Sequence, residues 1–236
     1  MTRENFQEHL REVNDSVLVM GSMVDQAIER AARVLRDQDT RLARRVIEDD
    51  ALINQIRFDI EDKCLLLIAT QAPMATDLRM LAAALNIITD LERMADHAAG
   101  IAKIALLTAG EPTLKPLGDI PLMAEVAREM LGGSLRAFVE RDPVTAQGVA
   151  LRDDEVDALY NKVYLDLLGI MMADPRTIDR ATHLLWAAHN LERIADRVTN
   201  VCERVLFLVT GRMIEIQSGT DRELEAEVPP TRRDKS

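Results

Sequence analysis

Cysteine occurs only twice in the 236 residues, at Cys64 and Cys202, both inside apolar helical stretches. That is too little for a disulfide scaffold, and it fits buried thiols in a reducing compartment. Aromatic residues supply only 3% of the chain, whereas Leu, Ala, Met, Ile, Val and long charged residues dominate. Such a composition disfavours a sheet sandwich and favours helix. Positive charge is also in deficit, with 29 Lys and Arg against 40 Asp and Glu, a net charge of -11. Nucleic acid as the main partner and a polybasic membrane anchor are both disfavoured by that balance. No apolar run approaches the roughly 20 residues of a membrane span. The first residues, MTRENFQEHLREV, are polar and carry no secretory signal, so a cytoplasmic protein is expected. There is no GxxxxGK[ST] loop, GxSxG elbow, HExxH or ExxH pair, and no nucleophile with a recognisable base. An enzyme is not expected.

What the chain does have is a repeat. Leu91-Glu92-Arg93-Met94-Ala95-Asp96 returns one hundred residues later as Leu191-Glu192-Arg193-Ile194-Ala195-Asp196, with one hydrophobic exchange. A hexamer repeated at matched positions signals a duplicated architecture. The second copy lies in the stretch Leu184 to Gly211, where Ala187, Leu191, Ile194, Val198, Val201, Val205 and Leu208 form one apolar helical stripe. Beside it runs an acidic stripe, Glu192, Asp196, Asn200 and Glu203. Like charges four residues apart on a helix repel by a few tenths of a kcal/mol, and stacked carboxylates call for a counter-charge.

Taken in order, the period predicts a helix over 4–37 and a second ending near Thr70, where Ala72-Pro73 stops it. A third opens at Asp77 and runs to Thr108. A Pro/Gly-rich linker spans 109–118. The pattern then restarts with a helix over 119–140, in which Gly132-Gly133 allow close packing. Another helix follows, capped by Asp142-Pro143 and running to Met172. The last begins after a second Asp-Pro pair, Asp174-Pro175. The expected fold is all-α: two tandem three-helix bundles, 1–112 and 113–218, related by a pseudo-twofold, with a disordered tail over 219–236. One continuous six-helix assembly is the alternative.

Residues equally far from a turn face each other across a helical hairpin. Asp96 is therefore expected near Asp50, and Glu92 near Asn54. In the second half Asp196 falls near Asp153, and Glu192 near Asp157. Each bundle would hold oxygen ligands suited to Mg²⁺, Mn²⁺ or iron. The competing reading is a salt-bridge network with Arg79, Arg93, Arg152, Arg193 and Arg197. Asn200 and Glu203 are replaced by Gly100 and Lys103 in the first half, so the second half is the stronger candidate. His189 stands three residues before Glu192, with Thr89 as its counterpart. Trp186 and the Met171-Met172 pair are read as core.

The two LERxxD segments, together with Ala72-Pro73-Met74-Ala75-Thr76-Asp77-Leu78-Arg79, resemble the PhoU family over residues 5–215. The resemblance implies paired three-helix bundles and E(D)xxxD motifs, here Glu92/Asp96 and Glu192/Asp196, that bind metal clusters in some members. It also implies an adaptor that links the ATPase subunit of the phosphate ABC transporter to a phosphate-sensing histidine kinase. Such an adaptor keeps the phosphate-starvation response off when phosphate is plentiful. A homodimer is expected. A metal-binding bundle enzyme or metal-storage protein, and a bare helical scaffold, are the competing functions.

Overall fold

In a computed structural model, which describes residues 3–112, 114 and 119–216, the chain is helical throughout its regular structure. The elements are α1 (Arg3–Asp37), α2 (Thr40–Gln71), α3 (Ala75–Leu107), α4 (Asp119–Glu140), α5 (Pro143–Ala150), α6 (Asp153–Ala173) and α7 (Ile178–Thr210), with a 3-10 turn at Pro175–Thr177 before α7. Among the described residues no helix is long and apolar enough to cross a membrane. The tail expected over 219–236 lies outside the described residues, as does most of the linker after Pro112.

The helix ends follow local chemistry. Asp39 caps α2 by accepting from the backbone N–H of Arg41 and Leu42, and Asp142 caps α5 through Val144 and Thr145. Just before those caps, Gln38 and Arg141 both turn left-handed, with φ of 52° and 53°. The two halves therefore reverse direction at equivalent points with the same backbone device.

One expected helix is two. The stretch from Pro143 to Met172 breaks at Leu151-Arg152, where α5 ends and α6 begins. At the break the Leu151 N–H reaches back to the Gln147 carbonyl at 3.2 Å and the Arg152 N–H to the Val149 carbonyl at 3.0 Å, a tightened last turn that re-aims the chain. Arg152 fastens the turn through Glu129 at 2.9 Å and Glu155 at 3.1 Å. Gly133 allows α4 to approach this region closely, since a Cβ there would stand 2.7 Å from Val149.

α1–α3 form one bundle and α4–α7 the other. The apolar stripe of α1, from Leu10 through Leu35, is buried throughout, as is that of α7 from Ala187 to Leu208. Both belong to one continuous hydrophobic core that spans the two bundles. The most extensive helix–helix interface is between the bundles, α3 against α7, with α1 against α4 beside it. Two expected core residues are outside. Trp186 is exposed, with its ring edge-on to His183, and Met172 is 78% exposed. Both occupy helix faces turned away from the seam between the bundles; Met171 alone of the pair rests against the core.

α3 and α7 run antiparallel. His97 Nδ1 lies 2.9 Å from Asn190 Oδ1, while Arg197 lies 3.6 Å from Asp90. These are the same two positions exchanged between halves. Asn200 donates to Asp90 at 3.2 Å, and in the exchanged place a Cβ on Gly100 would stand 3.1 Å from Asn190 Oδ1. A pseudo-twofold passes between α3 and α7, with one side of the seam charged and the other neutral.

Candidate functional site

Both expected acidic sets form, and they differ in kind. In the second half Asp153 and Asp157 on α6 face Glu192 and Asp196 on α7 across a cavity of about 390 Å³, also lined by Arg193, Arg197, Asn200, Glu203, Glu215 and Ile216. Asp153 sits in the first turn of α6, 8% exposed, and its Oδ1 has no hydrogen-bond partner. Glu192 Oε2 is also buried without a hydrogen bond, although His189 Nδ1 lies 3.2 Å away. Burial first, then the neighbouring carboxylates Asp157, Asp196 and Glu192, push Asp153 up to about 7. Glu192 is likewise raised to about 7 by burial, then by Asp196 and Asp157. Burial also raises Asp196, opposed by Arg193 and Arg197.

The salt-bridge reading holds for Asp196. Arg193 pairs with Asp196 at 3.0 Å. Arg197 turns away to Asp90 across the seam, and Arg152 holds the α5–α6 turn. The remaining two expected ligands are partly committed elsewhere. Asn200 spends its amide N–H on Asp90. Glu203 lies beside Arg204 at 3.3 Å and accepts the backbone N–H of Ile216 at 3.0 Å.

In the first half Asp50, Glu92 and Asp96 come together as the hairpin register requires. Burial raises Asp50, with Asp96 adding to it, and Lys103 opposes both. Glu92 is raised by burial, then by Asp96 and Asp50, while Arg57 and Arg93 pull it down. Asp96 is exposed, whereas Asp196 is half-buried. The first cluster is thus the more exposed of the two, and in the second Arg193 and Arg197 offset burial at Asp196 without reversing it.

Four carboxylates with two buried, unsatisfied oxygens make a hard donor set, which fits a divalent cation. Among the described residues, however, no three His, Cys, Asp or Glu side chains are already arranged to hold a metal ion. Binding would require Arg193 to release Asp196 and the carboxylates to draw in.

Glu215 was not among the sequence candidates. It follows the last helix, outside any periodic pattern, and only folding back of the chain at Gly211 brings it to the cavity. Its signal in the sequence is slight: it stands one hundred residues after Lys115, as Glu203 stands after Lys103.

The PhoU domain family model matches twice, over residues 17–105 and 120–205. A curated protein of Clostridium acetobutylicum, a phosphate-specific transport system accessory protein PhoU homolog, is 39% identical over 217 residues, covering 92% of this chain and 99% of its own. One of the same description from Aquifex aeolicus is 40% identical, covering 89% of this chain and 95% of its own. The crystal structure of PhoU from Pseudomonas aeruginosa superposes with a TM-score of 0.84 at 33% identity, over 88% of this chain and all of that one. The phosphate transport system regulatory protein PhoU from Streptococcus pneumoniae superposes at 0.83 with 32% identity, over 89% and 99%.

Proposed function

This chain belongs to the PhoU family, and on that premise we propose that it is a cytoplasmic regulatory adaptor of phosphate uptake and not an enzyme. The observation that carries the reading is 39–40% identity along nearly the whole chain to curated phosphate-transport accessory proteins, with both halves matched by one family model. Its partners are the ATPase subunit of the phosphate ABC transporter and the phosphate-sensing histidine kinase, and it represses the phosphate-starvation response when phosphate is plentiful. It acts as a homodimer.

Work by contact is supported by the surface. Leu65 and Leu168 occupy equivalent places on α2 and α6, and Leu78 and Ile178 on α3 and α7; all four are exposed. Each half thus offers a related apolar face near the end of its long hairpin. Because α3 and α7 are antiparallel, the two faces lie toward opposite ends of the molecule, which suits bridging.

The acidic clusters supply the second part of the proposal. Asp153, Asp157, Glu192 and Asp196 would hold a divalent cation, either manganese, magnesium or iron. Such an ion would supply the positive charge that Asp153 and Glu192 lack and would neutralise part of an acidic face, tuning contact with partners. Asp50, Glu92 and Asp96 form the weaker counterpart, with Lys103 already in the place of a ligand.

The test is a deletion strain grown in excess phosphate with a starvation-gene reporter. Derepression that the wild-type chain restores, with the two partners recovered by cross-linking, is the expected result. Normal repression with neither partner recovered would overturn the adaptor reading and favour the metal-enzyme or metal-storage alternative.

A further inference from the structure

Over residues 211–216 the chain stays against the bundle. Gly211 adopts a left-handed conformation with φ of 72°, which closes α7. The next residues then run back along the helix they have just left. Arg204 Nη1 lies 3.3 Å from Met213 Sδ, Glu203 accepts the N–H of Ile216, and the Ile216 side chain rests on the core. These three ties hold a short strap, Arg212 to Ile216, across one side of the second-half cavity. Glu215 and Ile216 form part of its wall, as Asp153 does.

Asp153 is the observation that asks for a ligand, being more than nine-tenths buried, lining the cavity and carrying an oxygen with no hydrogen-bond partner. Glu215 is its complement: exposed, acidic, in the cavity wall and carried on a segment tied at Met213 and Ile216. In the first half the counterpart of Asp153, Asp50, is only half-buried. Lys103 stands in the sequence where Glu203 anchors the strap, which replaces a carboxylate by an ammonium.

We propose that the strap Arg212–Ile216 closes over the second-half cavity when a divalent cation binds there, with Glu215 adding a carboxylate to Asp153, Asp157, Glu192 and Asp196. The inference rests on the cation reading of that cavity and adds to it a moving part.

The experiment uses the full chain, stripped with chelator, with Mn²⁺ as the probe. Calorimetry reads affinity, and hydrogen-exchange mass spectrometry reads the amides of 211–216. Wild-type protein binds Mn²⁺ and slows exchange across the strap by about tenfold. Glu215→Gln, a change at an exposed position that leaves the core intact, weakens binding about five- to tenfold, as loss of one charge near a divalent ion requires, and removes the added protection. Equal affinity in Glu215→Gln with no change in strap exchange would overturn the strap and leave the cation site standing. If wild-type protein binds no Mn²⁺, or if binding survives Glu192→Gln with Asp196→Asn, the cation reading of this cavity fails and the strap fails with it.

Discussion

The two halves share a backbone plan and differ in where charge is left uncompensated. At the seam, Asp90, Arg197 and Asn200 form a charged contact, and the exchanged positions Asn190, His97 and Gly100 form a neutral one. In the acidic clusters the distribution differs again. In the first half burial and Asp96 still raise Asp50, and Lys103 sits close enough to oppose them. In the second, Glu203 replaces it and two carboxylate oxygens stay buried and unsatisfied. Duplication conserved what packing demands, the stripe through Leu91 and Leu191, and released the polar positions to diverge. A repeat at the level of the fold need not be a repeat at the level of the site.

The comparison is tested most severely in the core. Leu91→Ala and Leu191→Ala each remove a side chain with no exposed surface. Each is expected to cost about 3–4 kcal/mol in urea denaturation, and the two costs should agree within about 1 kcal/mol. A large difference between them would break the pseudo-twofold equivalence of the two sites.

At the seam the costs should diverge. Asp90→Ala strands Arg197, whose side chain is only 21% exposed, and takes the acceptor from Asn200. The expected loss is about 2–3 kcal/mol. Asn190→Ala on the neutral side should cost only about 1 kcal/mol. Burial, together with Arg193 and Arg197, holds His97 below the ordinary histidine range, so it needs no counter-charge there.

Dependence on pH should separate the acidic clusters. Asp153 and Glu192 have folded-state pKa values raised to about 7, from ordinary values of 3.8 and 4.5. A raised carboxylate favours folding below its unfolded pKa and loses that contribution as pH rises through the folded value. Metal-free protein should therefore lose stability between about pH 4 and pH 8. Glu192→Gln with Asp196→Asn should flatten that slope by about 1–2 kcal/mol, after allowance for solvent screening, and raise the melting temperature in chelator. The matching pair in the first half, Glu92→Gln with Asp96→Asn, should flatten it less. Equal flattening by both pairs would remove the distinction between the clusters.

The smallest expected effect sharpens the comparison from the other side. Lys103→Glu gives the first half the residue that the second half carries. Apo stability should fall by less than about 1 kcal/mol, since the cluster is half-exposed. A second, weaker Mn²⁺ binding event should appear in calorimetry; its absence would show that Lys103 is not what separates the two clusters.

Much of this was legible in the chain. The hexamers around Leu91 and Leu191 announced the duplication, because burying a helical stripe restricts residues to a few apolar types at fixed spacing. The pairing of Asp50 with Asp96, and of Asp153 with Asp196, followed from nearly equal distances to the turns at Pro73 and Asp174, since antiparallel helices rise equally per residue. The break at Leu151-Arg152 was not legible, because neither residue is a proline or glycine and the helical period reads straight through it. Trp186 and Met172 were misplaced because a large apolar side chain in a helix says nothing about which way its face turns.

Helix content, duplication and the hairpin register were set by the sequence itself, because each depends on near neighbours or on a repeat visible in one dimension. Tertiary structure alone decided the partners of the polar residues. Asn200 and Arg197 turn to Asp90, some 110 residues away, and Glu215 reaches the cavity only because Gly211 turns the chain back. A polar side chain satisfies the nearest complementary group in space, and that group is unknown until the apolar stripes have chosen how the helices lie.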